Sequence, residues 1–180
     1  MNKDIEIIKR NIPNIPDFPV PGVQFKDVTP LIRDPKALRA TLDELNKLAS
    51  KYKYDYIVAP ESRGFWFGVP LALENKKFFI PVRKKGKLPR PTIATEDKTE
   101  YSNITLEIHK EDIPAGAKAL IVDDLLATGG TVRAIIKMLN DIKVKTVAAI
   151  FIIDLPELDG KTEIEKMGVQ VEAILQLPGK

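Results

Sequence analysis

The sequence predicts an α/β fold in which a mainly parallel, twisted sheet is flanked by helices. Two observations carry that expectation. Short apolar runs rich in β-branched or aromatic residues alternate with segments of helical spacing, the signature of strand and helix units wound around a parallel sheet. One of the runs leads through a glycine-rich turn into a helix, and ligands of such folds bind at the carboxyl ends of the strands.

Taken in order, Asp34-Pro35 opens a helix, with Asp34 as N-cap, Pro35 in the first helical position and Leu38, Leu42, Leu45, Leu48, Ala49 and Tyr52 on one face. YIVA (56–59), FFIPV (78–82), ALIV (119–122) and VAAIFII (147–153) read as buried strands. Between them, 65–74 is helical with Pro70 tolerable only near a helix start, and 131–142 is helical with Val132, Ile135, Ile136 and Leu139 on its apolar face. Residues 86–107 show no apolar period until ITLEI (104–108), so a long functional loop, a lid, is expected there. QVEAIL (170–175) is expected as an edge strand and LPGK after it as a frayed end.

The bulk properties narrow the function. A chain of 180 residues is read as one domain, 1–180, and 44% apolar with 29% charged residues is ordinary globular composition. There is no cysteine and His109 is the only histidine, which excludes disulfide frameworks and thiolate or multi-histidine zinc sites. His109 itself reads as structural or exposed. The first residues lack an apolar signal core, and no stretch nears the roughly 18 apolar residues of a membrane span, so a cytoplasmic protein with no membrane partner is expected. A net charge of +3 is too mild to argue for nucleic acid. Arg83, Lys84, Lys85, Lys87 and Arg90 nonetheless form a local basic patch.

The segment IVDDLLATGGT (121–131) carries the chemistry. Gly129 and Gly130 allow successive N–H groups to turn inward, Thr128 and Thr131 add hydroxyl donors, and the helix N-terminus adds partial positive charge, a combination suited to a phosphate. Asp123 and Asp124 only accept hydrogen bonds when ionised, so they address another part of the same ligand. A ribose 5-phosphate supplies both the anion and a vicinal diol. The lysine-bearing phosphate loop of nucleoside triphosphatases and the GxGxxG dinucleotide fingerprint are both absent.

This string resembles the phosphoribosyl pyrophosphate motif of the type I phosphoribosyltransferases, in the form carried by their adenine-specific members. Four other segments agree in order and spacing: DFPVPGVQFKDVTPLI (17–32), ESRGFWFG (61–68), VRKKGKLP (82–89) and EYSNITLEIHK (100–110). The resemblance implies the type I phosphoribosyltransferase fold with a small hood, here about 11–33, and a mobile lid loop. It implies transfer of phosphoribosyl from phosphoribosyl pyrophosphate to N9 of adenine, with Mg²⁺ held by substrate and water rather than directly by protein, and a homodimer.

By the same resemblance, Ala127, Thr128, Gly129, Gly130 and Thr131 hold the 5-phosphate, and Asp123 and Asp124 hold the ribose hydroxyls beneath the developing cation. Arg63, Arg83, Lys84 and Lys87 match pyrophosphate positions. Glu100 matches the proton-shuttling glutamate of the lid, with Tyr101 beside it. Gln24 and Lys26 would read adenine through their backbone, with Phe25 and Leu125 on its two faces. The chain departs from the pattern at Lys26, where arginine is common, at Glu61, where aspartate is common, and at Ser102 and Arg90, where glycine is common. These departures at Glu61 and Ser102 bear on the local backbone. Two rival readings are a 6-oxopurine phosphoribosyltransferase, disfavoured because 150–156 lacks a lysine, and a phosphoribosyl pyrophosphate sensor, disfavoured because 1–16 is too short for a DNA-binding domain.

Overall fold

The computed structural model describes residues 2–99 and 102–179. The chain runs α1 (Lys3–Arg10), β1 (Asn14–Pro16), β2 (Gln24–Lys26), α2 (Thr29–Arg33), α3 (Pro35–Ala49), β3 (Tyr56–Pro60), α4 (Arg63–Asn75) and β4 (Phe78–Lys84). It continues through β5 (Thr92–Thr99), β6 (Ser102–His109), β7 (Lys118–Leu126), α5 (Gly130–Asp141), β8 (Lys145–Asp154), a 3₁₀ turn (Pro156–Leu158), α6 (Gly160–Glu165) and β9 (Gln170–Gln176). Seven strands form one sheet in the order β5-β6-β4-β3-β7-β8-β9. From β4 to β9 every pairing is parallel, and β5 and β6 attach antiparallel at one edge.

Alternation of side chains along each strand divides the core between the two faces. On one face Leu120, Val122, Ala148 and Ile150 pack with buried residues of α1, α3 and α4, such as Ile8, Leu45 and Phe67. Ala119, Ile121, Ala149 and Phe151 face the other way, against Val132, Ile135, Ile136 and Leu139 of α5. The α5 face is therefore the one its spacing predicts. The α3 cap is also as read, since the Asp34 carboxylate accepts from Lys36 N–H at 2.9 Å.

Several expectations are corrected. Residues 86–107 are not one irregular loop, because β5 and β6 pair in register from Thr92↔His109 to Thr99↔Ser102. A ladder of main-chain hydrogen bonds needs no apolar period, so the mostly polar strand β5 gave no signal, while β6 shows its period only at 104–108, where Leu106 and Ile108 are buried. Pro70 lies well inside α4, not near its start. Burial of Gly64, Phe67, Gly68, Leu71 and Ala72 against the sheet carries the helix through it. The α1 helix gave no sequence signal that was recognised, while β9 forms the expected edge strand. Residues 177–179 are not frayed: Leu177 N–H donates to Asp154 C=O at 3.0 Å, and Gly179 N–H to Glu157 Oε2 at 2.8 Å. Among the described residues no helix is long and apolar enough to cross a membrane.

Candidate active site

The two acidic residues lie near the end of β7, which extends past the predicted run to Leu126. Asp124 is 2% exposed, and its main-chain N–H donates to Asp123 Oδ1 at 2.9 Å. Arg63, at the start of α4, sets its Nε 3.0 Å from Asp124 Oδ2. That approach is an ion pair but is not directed as a hydrogen bond, so Asp124 Oδ2 remains a buried acceptor without a hydrogen-bond donor. Burial raises the Asp123 carboxyl well above its ordinary range, and the neighbouring Asp124 charge raises it further. Burial also raises Asp124, with the Arg63 charge and the Asp123 contact opposing it. Such a pair is costly to bury ionised and gains most from a ligand that brings hydroxyl donors.

From β7 the chain turns through Ala127 and Thr128 into Gly129, which has φ 76° and caps α5. This left-handed backbone is the reason for glycine there. No side chain caps α5, so its first-turn N–H groups are left to an anion at the positive end of the helix. Thr128 and Thr131 are exposed at either side.

Beside the loop, a cavity of about 390 Å³ is walled by Gln24, Phe25 and Lys26 of the hood, Arg63, Leu125 and Ala127, with Leu155, Leu158 and Gly179 opposite. The hood is the antiparallel ribbon of β1 and β2, with Asn14↔Lys26, Ile15↔Phe25 and Pro16↔Gln24 in register. Asn14 fixes two side chains: it accepts from Lys26 Nζ at 2.8 Å and donates to Gln24 Oε1 at 2.6 Å. With those side chains tied back, the hood offers a ligand the β2 backbone, the Phe25 ring and the preceding Gly22 and Val23. Phe25 meets Phe18 edge-on at 5.0 Å, and the Arg63 guanidinium stands 5.6 Å from its centroid.

The basic patch is organised by Glu61. Its carboxylate accepts from Arg83 Nε and Nη2 at 3.1 and 3.0 Å and from Lys84 N–H at 2.6 Å. Burial pushes the Glu61 carboxyl up, but those donors more than offset it and hold it below its ordinary range. The departure at Glu61 thus serves as a clasp between the turn before α4 and the end of β4, and the Glu61–Ser62 peptide is cis. Lys84 and Lys87 are exposed, and Arg90 is engaged by Asp112 at 2.7 Å. None of Arg83, Lys84 and Lys87 lines the base-sized cavity; they stand at the end of the sheet strand beyond β3. His109 is buried, in agreement with a structural role. Glu100 and Tyr101 lie outside the described residues.

Gly22, Val23, Leu155, Leu158 and Gly179 also line the cavity and are not among the residues the sequence predicts for it. A signal existed for Leu155, which follows the carboxyl end of a predicted strand where ligands of α/β folds bind. For Gly179 there was none.

A phosphoribosyl transferase domain model matches residues 34–175. The adenine phosphoribosyltransferase of Aliivibrio salmonicida is 49% identical over 178 residues, 97% of each chain. That of Malacoplasma penetrans is 50% identical over 162 residues, 90% of this chain and 92% of its own. The chain belongs to the adenine phosphoribosyltransferase family. Solved members of that family share its architecture. The Thermoanaerobacter pseudethanolicus structure matches with TM-score 0.91 at 42% identity, over 96% of this chain and 99% of that one. The Saccharomyces cerevisiae structure, complexed with an imino-altritol bisphosphate and adenine, matches with TM-score 0.88 at 34% identity, over 97% and 100% of the two chains.

Proposed function

We propose that this chain transfers the 5-phosphoribosyl group of phosphoribosyl pyrophosphate to N9 of adenine. The bond from ribose C1 to the pyrophosphate oxygen breaks, the bond to N9 forms, N9 loses its proton, and AMP and pyrophosphate leave. The observation that carries this reading is the junction of an apolar base-sized cavity with an uncapped, glycine-turned helix N-terminus, the two sharing the segment that runs through Leu125 and Ala127.

The transition state of such a transfer carries positive charge on the ribose ring, so the protein acts by positioning and electrostatics. Ala127–Thr131 hold the 5-phosphate. Asp123 and Asp124 accept from the ribose 2- and 3-hydroxyls and lie under the developing cation; Asp124 Oδ2, buried and paired with Arg63, accepts once that ion pair yields to the sugar. Arg63, with Arg83, Lys84 and Lys87, faces the departing pyrophosphate, and the Glu61 clasp presents Arg83 and Lys84 together. Phe25 and Leu125 enclose the base, while the main chain at Gln24 and Lys26 reads its edge. Glu100 takes the N9 proton and Tyr101 contacts phosphoribosyl pyrophosphate, roles that rest on sequence resemblance.

Among the described residues no three acidic or histidine side chains converge as a metal cage. A hydrated Mg²⁺ held by substrate oxygens and water, rather than directly by protein, would neutralise charge on the leaving pyrophosphate. Val69 and Leu73, one turn apart on α4 and 47% and 79% exposed, are apolar residues open to a homodimer interface. A cytoplasmic setting suits these water-soluble substrates.

The test is incubation with phosphoribosyl pyrophosphate, Mg²⁺ and adenine, hypoxanthine or guanine in turn, beside a Glu100→Ala variant. Nucleotide from adenine alone and a large loss in the variant are expected. Nucleotide from hypoxanthine or guanine overturns the base assignment, and binding without product from any base supports a sensor.

A further inference from the structure

We infer that Gly160 is a positioning residue for the phosphate loop. The inference rests on the reading that Ala127–Thr131 hold the 5-phosphate. After β8 the chain returns to the loop: Leu155 N–H donates to Leu126 C=O at 3.0 Å, and the 3₁₀ turn then delivers Gly160 as the first residue of α6. There the two backbones touch. A Cβ on Gly160 would stand 2.1 Å from Ala127 O, 2.9 Å from Gly129 N and 2.9 Å from Leu126 Cδ1. The contact is reciprocal, since a Cβ on Gly129 would stand 3.1 Å from Gly160 O and 3.3 Å from Gly160 Cα. Glycine therefore faces glycine, and Gly160 fixes the height at which Ala127 and Gly129 present their main-chain groups.

The added methyl cannot be absorbed behind α6. Ile164 is fully buried one turn on, with its Cδ1 3.4 Å from where a Gly129 Cβ would lie, and Arg133 pairs with Glu163 at 3.3 Å to hold α6 against α5. Relief of a 2.1 Å contact requires a separation of roughly 1 Å or more, given ordinary contact distances near 3.5 Å. The element with room to yield is the loop, whose outer side is open to solvent at Thr128 and Thr131. Misplacement of a binding group by about 1 Å can cost on the order of 100-fold in rate.

Gly160 itself lines no cavity wall, and of the loop residues it meets only Ala127 does, so the larger effect is expected on phosphoribosyl pyrophosphate. In Gly160→Ala the KM for phosphoribosyl pyrophosphate should rise about tenfold or more while the KM for adenine stays within about threefold. The rise in melting temperature produced by ribose 5-phosphate should disappear in the variant. A lowered melting temperature with both KM values unchanged would mean that Gly160 is only structural, and equal rises in both would mean general disruption; either result overturns the proposal. Absence of a ribose 5-phosphate response in the wild type would instead sink the phosphate-loop reading itself. If Gly160→Ala does not fold, Ile164→Val decides: it loosens α6 beneath Gly129 without adding atoms. A severalfold rise confined to phosphoribosyl pyrophosphate supports the role, and an unchanged KM overturns it.

Discussion

Replacing Phe25 by alanine separates recognition of the base from recognition of the phosphoribosyl group, because the ring has three neighbours of different kinds. It borders the cavity, meets Phe18 edge-on at 5.0 Å and lies 5.6 Å from the Arg63 guanidinium. Stacking of a base on an aromatic ring contributes about 1–3 kcal/mol. At 1.4 kcal/mol per factor of ten, losing it should raise the KM for adenine by roughly 5- to 150-fold. Arg63 loses a cation–π contact of about 0.5–1 kcal/mol, which predicts only a two- to fivefold rise in the KM for phosphoribosyl pyrophosphate. The Phe18 pair, about 0.5–1.5 kcal/mol, lies in the two-stranded hood, where Phe18 is already half exposed. Even its full loss should lower the melting temperature by no more than roughly 2–6 °C. Initial rates with each substrate varied in turn, together with a thermal melt, give all three quantities. An adenine KM within twofold of wild type would refute the stacking role. Equal rises for both substrates, or a melting temperature lower by about 10 °C, would show that Phe25 is a core residue.

Three other outcomes follow from the same geometry. In Gly64→Ala the new methyl meets Pro60 Cδ at 3.0 Å, Val122 O at 3.1 Å and Asp123 Oδ1 at 3.1 Å, and only the carboxylate can swing aside; kcat/KM for phosphoribosyl pyrophosphate should fall about tenfold, and a value within twofold of wild type would rule the mechanism out. Asp124 has a folded pKa raised above its ordinary 3.8, so the stability it contributes is present below that value and lost as pH rises through the folded one. The Asp124→Asn variant should therefore melt higher than the ligand-free wild type at neutral pH, by a margin that shrinks toward pH 4 even as activity is lost; a margin that widens on acidification contradicts the sign. A chain ending at Gln176 loses the Gly179 wall and the Leu177–Asp154 hydrogen bond, and its adenine KM should rise roughly 3- to 10-fold with that for phosphoribosyl pyrophosphate unchanged. Identical adenine KM values in the two chains would remove 177–179 from the base pocket.

What could be read from the sequence depended on whether a residue's task leaves a local mark. Asp34-Pro35 and Gly129 did, because a cap and a left-handed turn each restrict the residue type at one position. The paired aspartates did so by breaking a local rule: nothing in a strand interior calls for two adjacent carboxylates, and the cost appears as their raised pKa values. The hairpin β5–β6 left a mark in hydrophobicity only at 104–108, where Leu106 and Ile108 enter the core; β5 opposite is mostly polar and is ordered by main-chain pairing.

Leu155 and Leu158 were hidden for the opposite reason. A leucine that will face a base and a leucine that will face another leucine are the same residue in the same apolar context, and only the absence of a covering element distinguishes them. In this fold that absence is produced at a distance. The hood ribbon is tied by Asn14 to Lys26 and Gln24, and Gly160 seats the start of α6 against the phosphate loop while the 3₁₀ turn before it leaves Leu158 on the cavity wall. The pocket is therefore a property of where two backbones are stopped. The residues that stop them, an asparagine and a glycine, act through Gln24, Lys26, Ala127 and Gly129, so the shape of the site depends on positions whose own chemistry gives no hint of it.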